Sequence, residues 1–286
     1  MDGAVAGAGF LQADQSNHAR GSLAMQWRHV SGRTRLATVA QEAPYRLMTP
    51  MVESDEPPLA VAANVSGGVV GGDRLDLSLA VRPNAALSTV GQAAEKVYRS
   101  AGPTARLRNR ISVESGARLD WMPQGTILFD GVRMTRRTTI DLADDASLLY
   151  GEILIFGRHG MGERLVWGDI ADSLDVSVAG NRVFADRFRL SDGMAALADR
   201  FALDGAEAAA LVIVHAPERD LLDSVRDRLK PGPGLRCGAT RRGPLLVLRW
   251  LGTDAAALRA SVGGFWRWAR GEVCDFPPRL PSVWVI

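Results

Sequence analysis

The chain has 286 residues, 34 basic and 32 acidic, and hydrophobic residues make up 47% of it, the balance of a globular protein able to bury a large core. No uncharged apolar stretch approaches the roughly 18–20 residues of a membrane-spanning helix; the longest, around Leu148–Phe156 and Ala208–Ala216, are short, and Glu152 interrupts the first. Cys237 and Cys274 have no CxxC spacing and cannot build a disulfide scaffold, so a reduced, cytoplasmic setting is expected. The apolar start, Gly3–Leu11, carries Asp2 and no basic segment, which argues against a secretion signal. Apart from Lys96 and Lys230 the basic residues are all arginines, scattered among acids; the net charge of +2 does not by itself single out nucleic acid.

Residues 1–20 read as a loose tail and 21–286 as one domain, with no internal linker or repeat. The dominant period is then two. Leu75, Leu77, Leu79 and Val81 alternate with Arg74, Asp76, Ser78 and Arg82, and Leu107, Ile111 and Val113 alternate with arginines. Leu119 and Trp121 oppose Arg118 and Asp120; Ile140 with Leu142, and Leu174, Val176 and Val178, continue the pattern. Such alternation predicts half-buried strands with one wet face, on which arginine stems cover apolar surface while their heads stay solvated. Turn signals fall at Pro83-Asn84, Gly102-Pro103, Asp130-Gly131, Asp144-Asp145, Gly180-Asn181 and Asp192-Gly193.

The last third differs. Leu211–Val214 and Leu245–Leu248 read as buried strands. Glu218–Leu229 has helical spacing and stops at Pro231-Gly232. Asp254 is placed to cap a helix from about Ala255 to Arg270, with Leu258, Val262, Phe265 and Trp266 on one face. The prediction is a mainly β protein with two α-helices toward the C-terminus.

Catalytic motifs fail in turn. Gly67–Gly72 has the wrong offsets for GxGxxG and lacks a P-loop Lys, and neither GxSxG nor HExxH occurs. His18, His29, His159 and His215 are far apart, and His215 reads as a packed histidine after an apolar strand. His159 and Glu163 have a helical ligand spacing, but Gly157, Gly160 and Gly162 argue for a loop.

What stands out is an ordered set of polar signatures between strands. They are Ser66–Asp73 (SGGVVGGD), Lys96–Ser100 (KVYRS), Trp121–Gln124 (WMPQ) with Thr126–Gly131, and Glu152 followed by Gly157–Glu163 (GRHGMGE). In order and spacing this resembles the urease accessory protein UreD (UreH) family, over nearly the whole chain from Gly32 to Arg270. Departures are Gly125 where the family usually has an acid, Gly160 for alanine, and Thr49-Pro50 for histidine-proline. The resemblance implies a β-helix-like, superhelical stack of antiparallel and mixed strands and no enzymatic activity. It implies a scaffold that docks on apo-urease and, with UreF and the GTPase UreG, loads nickel through a tunnel. No tightly bound cofactor is expected, only nickel in transit, and neither nucleic acid nor membrane as partner.

Nickel held by thiolate and imidazole is held tightly, whereas carboxylates exchange it quickly. The signature regions offer Asp73, Asp130, Glu152 and Glu163, with His159, as a transient nickel path. Each also has a structural reading. Asp73 and Asp130 suit bonds to turn amides, Glu163 suits a pair with Arg158 or Arg164, and Glu152 must be paired or face a cavity. On the C-terminal helix, Trp268 lies off the apolar face and, with Arg267, is the candidate contact for a partner such as UreF. Two other classes compete: a stand-alone nickel metallochaperone, which would need a His or Cys cluster, and a β-solenoid carbohydrate-active protein, which would need paired carboxylates beside exposed aromatics.

Overall fold

The computed structural model describes residues 18–122, 124–191 and 195–284. The expected tail up to residue 17, the Asp192-Gly193 turn and Pro123 lie outside them. The chain opens with the antiparallel pair β1 (Arg20–Val30) and β2 (Arg33–Glu42), then β3 (Tyr45–Met48) and β4 (Leu59–Asn64). It continues through β5 (Arg74–Val81), β6 (Ala86–Gly91) and the short β7 (Glu95–Val97). β8 (Ala105–Val113), β9 (Arg118–Met122) and the short β10 (Thr126–Leu128) repeat that circuit, and β11 (Val132–Leu142) with β12 (Ser147–Phe156) repeats it again. The hairpin of β13 (Gly168–Val178) and β14 (Asn181–Ser191) follows, then α1 (Ala195–Ala198), β15 (Ala208–His215), α2 (Leu222–Arg228), β16 (Leu235–Arg242), β17 (Leu245–Gly252) and α3 (Ala255–Cys274).

The strands wind between two sheets in a β-solenoid-like stack of about four turns. The first sheet runs β14-β13-β11-β8-β5-β1-β2; the second runs β16-β17-β15-β12-β9-β6-β4-β3, with β7 and β10 beside it. The middle of each is parallel and the ends antiparallel. The predicted β-helix-like architecture is therefore present. Alternation places Leu75, Leu77, Leu79, Leu107, Ile111, Ile140, Leu174 and Val176 inward, against Leu119, Leu148, Tyr150 and Leu154 of the second sheet.

The central strands of the second sheet are buried on both faces, because α3 covers their outer side and α2 packs beside it against β16. Asp254 caps α3 by accepting from the Ala256 and Ala257 amides (2.7 and 3.1 Å). Leu258, Val262, Phe265 and Trp266 then pack with Leu149, Ile153, Val212 and Leu248. The helix lies so close that a Cβ on Gly151 would stand 2.4 Å from Trp266 Cζ3. The same cover overturns one expectation. Asp120, predicted to share a wet face with Arg118, is buried (1% exposed), accepting from Trp266 Nε1 (2.7 Å) and Ser88 Oγ (3.0 Å) and pairing with Arg270 Nε (2.8 Å). Arginines as outward heads hold for most strands, but Arg136 on β11 is buried, as is Arg270 on α3.

Boundaries also shift. α2 starts at Leu222 rather than Glu218, because residues 216–219 form a turn closed by Arg219 N–H to Ala216 O (3.1 Å). α3 continues to Cys274, and the β13–β14 turn is Ala179-Gly180. No helix among the described residues is long and apolar enough to cross a membrane.

Candidate functional site

The signature segments meet along one corner of the stack. Each leads from the second sheet back to the first, so successive turns lay them side by side. Val69 N–H donates to Lys96 O (2.7 Å) and Tyr98 N–H to Val69 O (2.9 Å); Ser100 N–H donates to Gly131 O (3.0 Å) and Gly131 N–H to Trp167 O (2.8 Å). Gly68, at φ +149°, shows why glycine is needed: a Cβ there would meet Tyr98 Cε2 at 2.5 Å and Lys96 O at 2.7 Å.

Four of the five predicted path residues serve this corner. Asp73 is buried and both its oxygens are taken by amides, Ala19 N–H at 2.7 Å and Val70 N–H at 2.9 Å. Asp130 accepts from the Val166 and Trp167 amides (2.9 Å each) and from Arg99 (3.1 Å). Partial burial pushes its carboxyl up, but the Trp167 and Val166 amides and Arg99 outweigh that and hold it below the usual range. Glu163 accepts from the Asp130 amide (2.8 Å) and pairs with Arg158 (3.4 Å), not Arg164, which pairs with Glu207. His159 begins a single 3-10 turn, donates from Nε2 to Phe156 O (2.8 Å) and lies 3.4 Å from Glu207. It makes no pair with Glu163.

Glu152 is elsewhere. It points from β12 into the space between the sheets, where a buried cluster forms. Arg136 of β11 reaches Asp172 of β13 through Nε (3.0 Å) and Nη2 (2.5 Å), Glu152 Oε2 through Nη2 (2.9 Å) and Thr126 Oγ1 through Nη1 (3.2 Å). Tyr150 donates its hydroxyl to the other Glu152 oxygen. Burial, aided by the nearby Asp172 charge and opposed by Arg136, pushes Glu152 up to about 7. The facing carboxylates of Asp172 and Glu152 outweigh burial for Arg136 and hold its guanidinium charged.

On one side of this cluster lies a cavity of about 480 Å³, lined by Tyr45, Asn64, Glu95, Asn109, Thr126 and Arg136 among others, with Gly67, Gly68 and Lys96 bordering it from the corner. Burial pushes Glu95 up to about 7 despite its bond from Asn64 Nδ2 (3.2 Å). On the other side is a smaller cavity of about 60 Å³, lined by Glu152, Asp172, Asp186 and Arg249; the last two form an ion pair at 2.7 Å. A polar seam thus runs through an otherwise apolar inter-sheet space. Among the described residues no group of three or more His, Cys, Asp or Glu side chains is assembled to hold a metal ion.

Comparison with known proteins gives this architecture a family. The family model for the UreD urease accessory protein matches residues 19–285. The chain belongs to the UreD family. It is 38% identical over 281 residues to a urease accessory protein UreD of Magnetococcus marinus, covering 96% of this chain and 97% of the relative. It is 36% identical over 281 residues to that of Rhodopseudomonas palustris strain BisB5, with 98% and 96% covered.

Glu95, Arg136 and Asp172 line this candidate site without standing in any of the signature motifs. A usable signal was present. Arg136 falls in phase with inward Val132, Met134, Thr138 and Ile140, and Asp172 falls in phase with Ile170 and Leu174. Of the two partner-contact candidates, Arg267 is exposed. Trp268 is half-buried, 5.7 Å from the Phe265 ring and beneath Arg228. His215, expected as a packed histidine, is buried against Ala146 O (2.7 Å).

Proposed function

We propose that this UreD-family chain is a non-enzymatic scaffold that docks on apo-urease in the cytoplasm. With UreF and the GTPase UreG, it enables nickel to reach the urease metallocentre. Nickel is cargo here, and part of its path runs through the inter-sheet space. The observation that carries this reading is the cavity of about 480 Å³ that ends on the Arg136, Glu152 and Asp172 cluster. Oxygen donors along a wet path hold a divalent ion loosely enough to pass it on. The geometry favours Glu152, joined by Glu95 and Asp172, over Asp73 and Asp130, whose oxygens are occupied by backbone amides. Arg267 and the edge of Trp268 remain the surface offered to UreF.

The test fills the cavity. Ala62 lines it opposite the first sheet, and Ala62→Phe would fill part of the space while leaving every charged residue of the lining in place. In a host expressing urease and the other accessory proteins, complexes should still form while nickel per urease falls several-fold. Full nickel loading by an assembled Ala62→Phe complex would sink the conduit reading.

A further inference from the structure

The Arg136 cluster sits at the wall between the two inter-sheet cavities. Arg136 and Thr126 border the larger, Glu152 and Asp172 the smaller, and the guanidinium bridges the two carboxylates. It is 7% exposed, forked onto both Asp172 oxygens and bonded to one Glu152 oxygen. A buried triad of this kind contributes little to stability compared with apolar residues of the same volume. The strand beside it shows the alternative: Leu107 of β8 stands directly opposite Arg136 in the register. The cluster therefore has the composition of a switch rather than of a core.

We propose that Arg136 is a cationic plug between the two cavities, and that a divalent cation opens the passage by taking the guanidinium's place between Glu152 and Asp172. The proposal rests on the conduit reading and specifies how transit through it is controlled. Charge favours the exchange. Two carboxylates and one guanidinium leave the cluster with one net negative charge, whereas a divalent ion between the same carboxylates neutralises it. The displaced side chain has room, since the cavity of about 480 Å³ lies on its own side, and Glu95 on that cavity's lining supplies a counter-charge. The Glu152 and Asp172 oxygens with the Tyr150 hydroxyl form a hard, incomplete ligand set, so an arriving ion is held briefly and Arg136 can return behind it.

Cobalt(II) absorption and calorimetry on the full chain test this. An internal competitor lowers apparent affinity by the fraction of time it vacates the site. Arg136→Met removes the competitor, so Co²⁺ and Ni²⁺ should bind about tenfold or more tightly than in the natural chain. Adding Glu152→Gln should abolish that gain. Because Arg136→Met leaves two buried carboxylates unpaired, Arg136→Lys provides the second measurement. It keeps the charge, loses the fork and should raise Co²⁺ affinity several-fold. A folded Arg136→Met chain with unchanged affinity overturns the plug; if that variant does not fold, an unchanged affinity in Arg136→Lys does so. Full nickel loading with Ala62→Phe removes the conduit and the plug with it. A block by Ala62→Phe with unaltered affinity in the Arg136 variants removes the plug alone.

Discussion

Arg270→Met should be among the most damaging single substitutions in the chain, for reasons that can be followed atom by atom. Arg270 is 1% exposed and joins three parts of the fold: Nε lies 2.8 Å from Asp120 on β9, Nη2 donates to Glu56 (2.6 Å) and to Ser88 (3.1 Å), and Nη1 donates to Pro277 O (3.2 Å). Methionine fills most of the volume, so packing is largely kept, but Asp120 is left buried without its counter-charge. Breaking a buried pair from one side costs about 3–5 kcal/mol. At roughly 2–4 °C per kcal/mol for a chain of this size, melting should fall by about 6–20 °C. Burial already pushes the Asp120 carboxyl up against the pull of Arg270. A carboxyl raised above its unfolded value favours the folded state at low pH and loses that contribution as pH rises through its folded pKa. The deficit of Arg270→Met should therefore be larger at pH 8 than at pH 5, and adding Asp120→Asn should recover part of it. Thermal melts of the three chains at both pH values decide the matter. A fall below about 2 °C, or a double variant whose loss equals the sum of the singles, would refute the reasoning.

Three further outcomes follow from local geometry. Glu95 is pushed up to about 7 by burial, so its ionisation costs stability as pH rises from about 4 through 7; Glu95→Gln should be more stable than the natural chain at pH 8, by on the order of 2 kcal/mol, and no different near pH 4 in urea titrations. Gly68→Ala places a Cβ against Tyr98 and Lys96 O at a φ that L-residues avoid, and should cost about 1–3 kcal/mol in the same assay, with raised amide exchange at the corner. Asp254→Ala removes the acceptor for two amides at the start of α3 and should cost about 1 kcal/mol, with the loss of exchange protection confined to the first turn of the helix.

Much of the fold was legible because period two survives wherever one face is wet. β5, β8, β11 and β13 of the first sheet show it plainly, and the solenoid-like winding came with the family signatures rather than from periodicity. Alternation misled on the second sheet, where α3 covers the outer face and so buries both sets of side chains. Asp120 is the clearest case: a carboxylate on a strand reads as wet until something covers it, and the covering helix lies about 135 residues further on, with Trp266 and Arg270 as its partners. The candidate site was legible only in part, for a related reason. The carboxylates of the signature motifs stand in glycine-rich corners, where positive-φ turns need acceptors for their amides, and Asp73 and Asp130 serve as those acceptors. The residues that line the inter-sheet space announce themselves differently, as polar side chains in phase with the apolar face of a strand. Glu152 between Tyr150 and Leu154, Arg136 between Met134 and Thr138, and Asp172 between Ile170 and Leu174 all satisfy that rule. Each is tolerable only because the stack brings the three strands into register, Arg136 opposite Asp172 on the neighbouring strand and Glu152 across the gap. A charge in the core phase of one strand is a defect; an arginine facing two carboxylates, one on the neighbouring strand and one across the gap, is a built feature. In a two-sheet stack such charges are the part of the sequence to read first for a path through the middle.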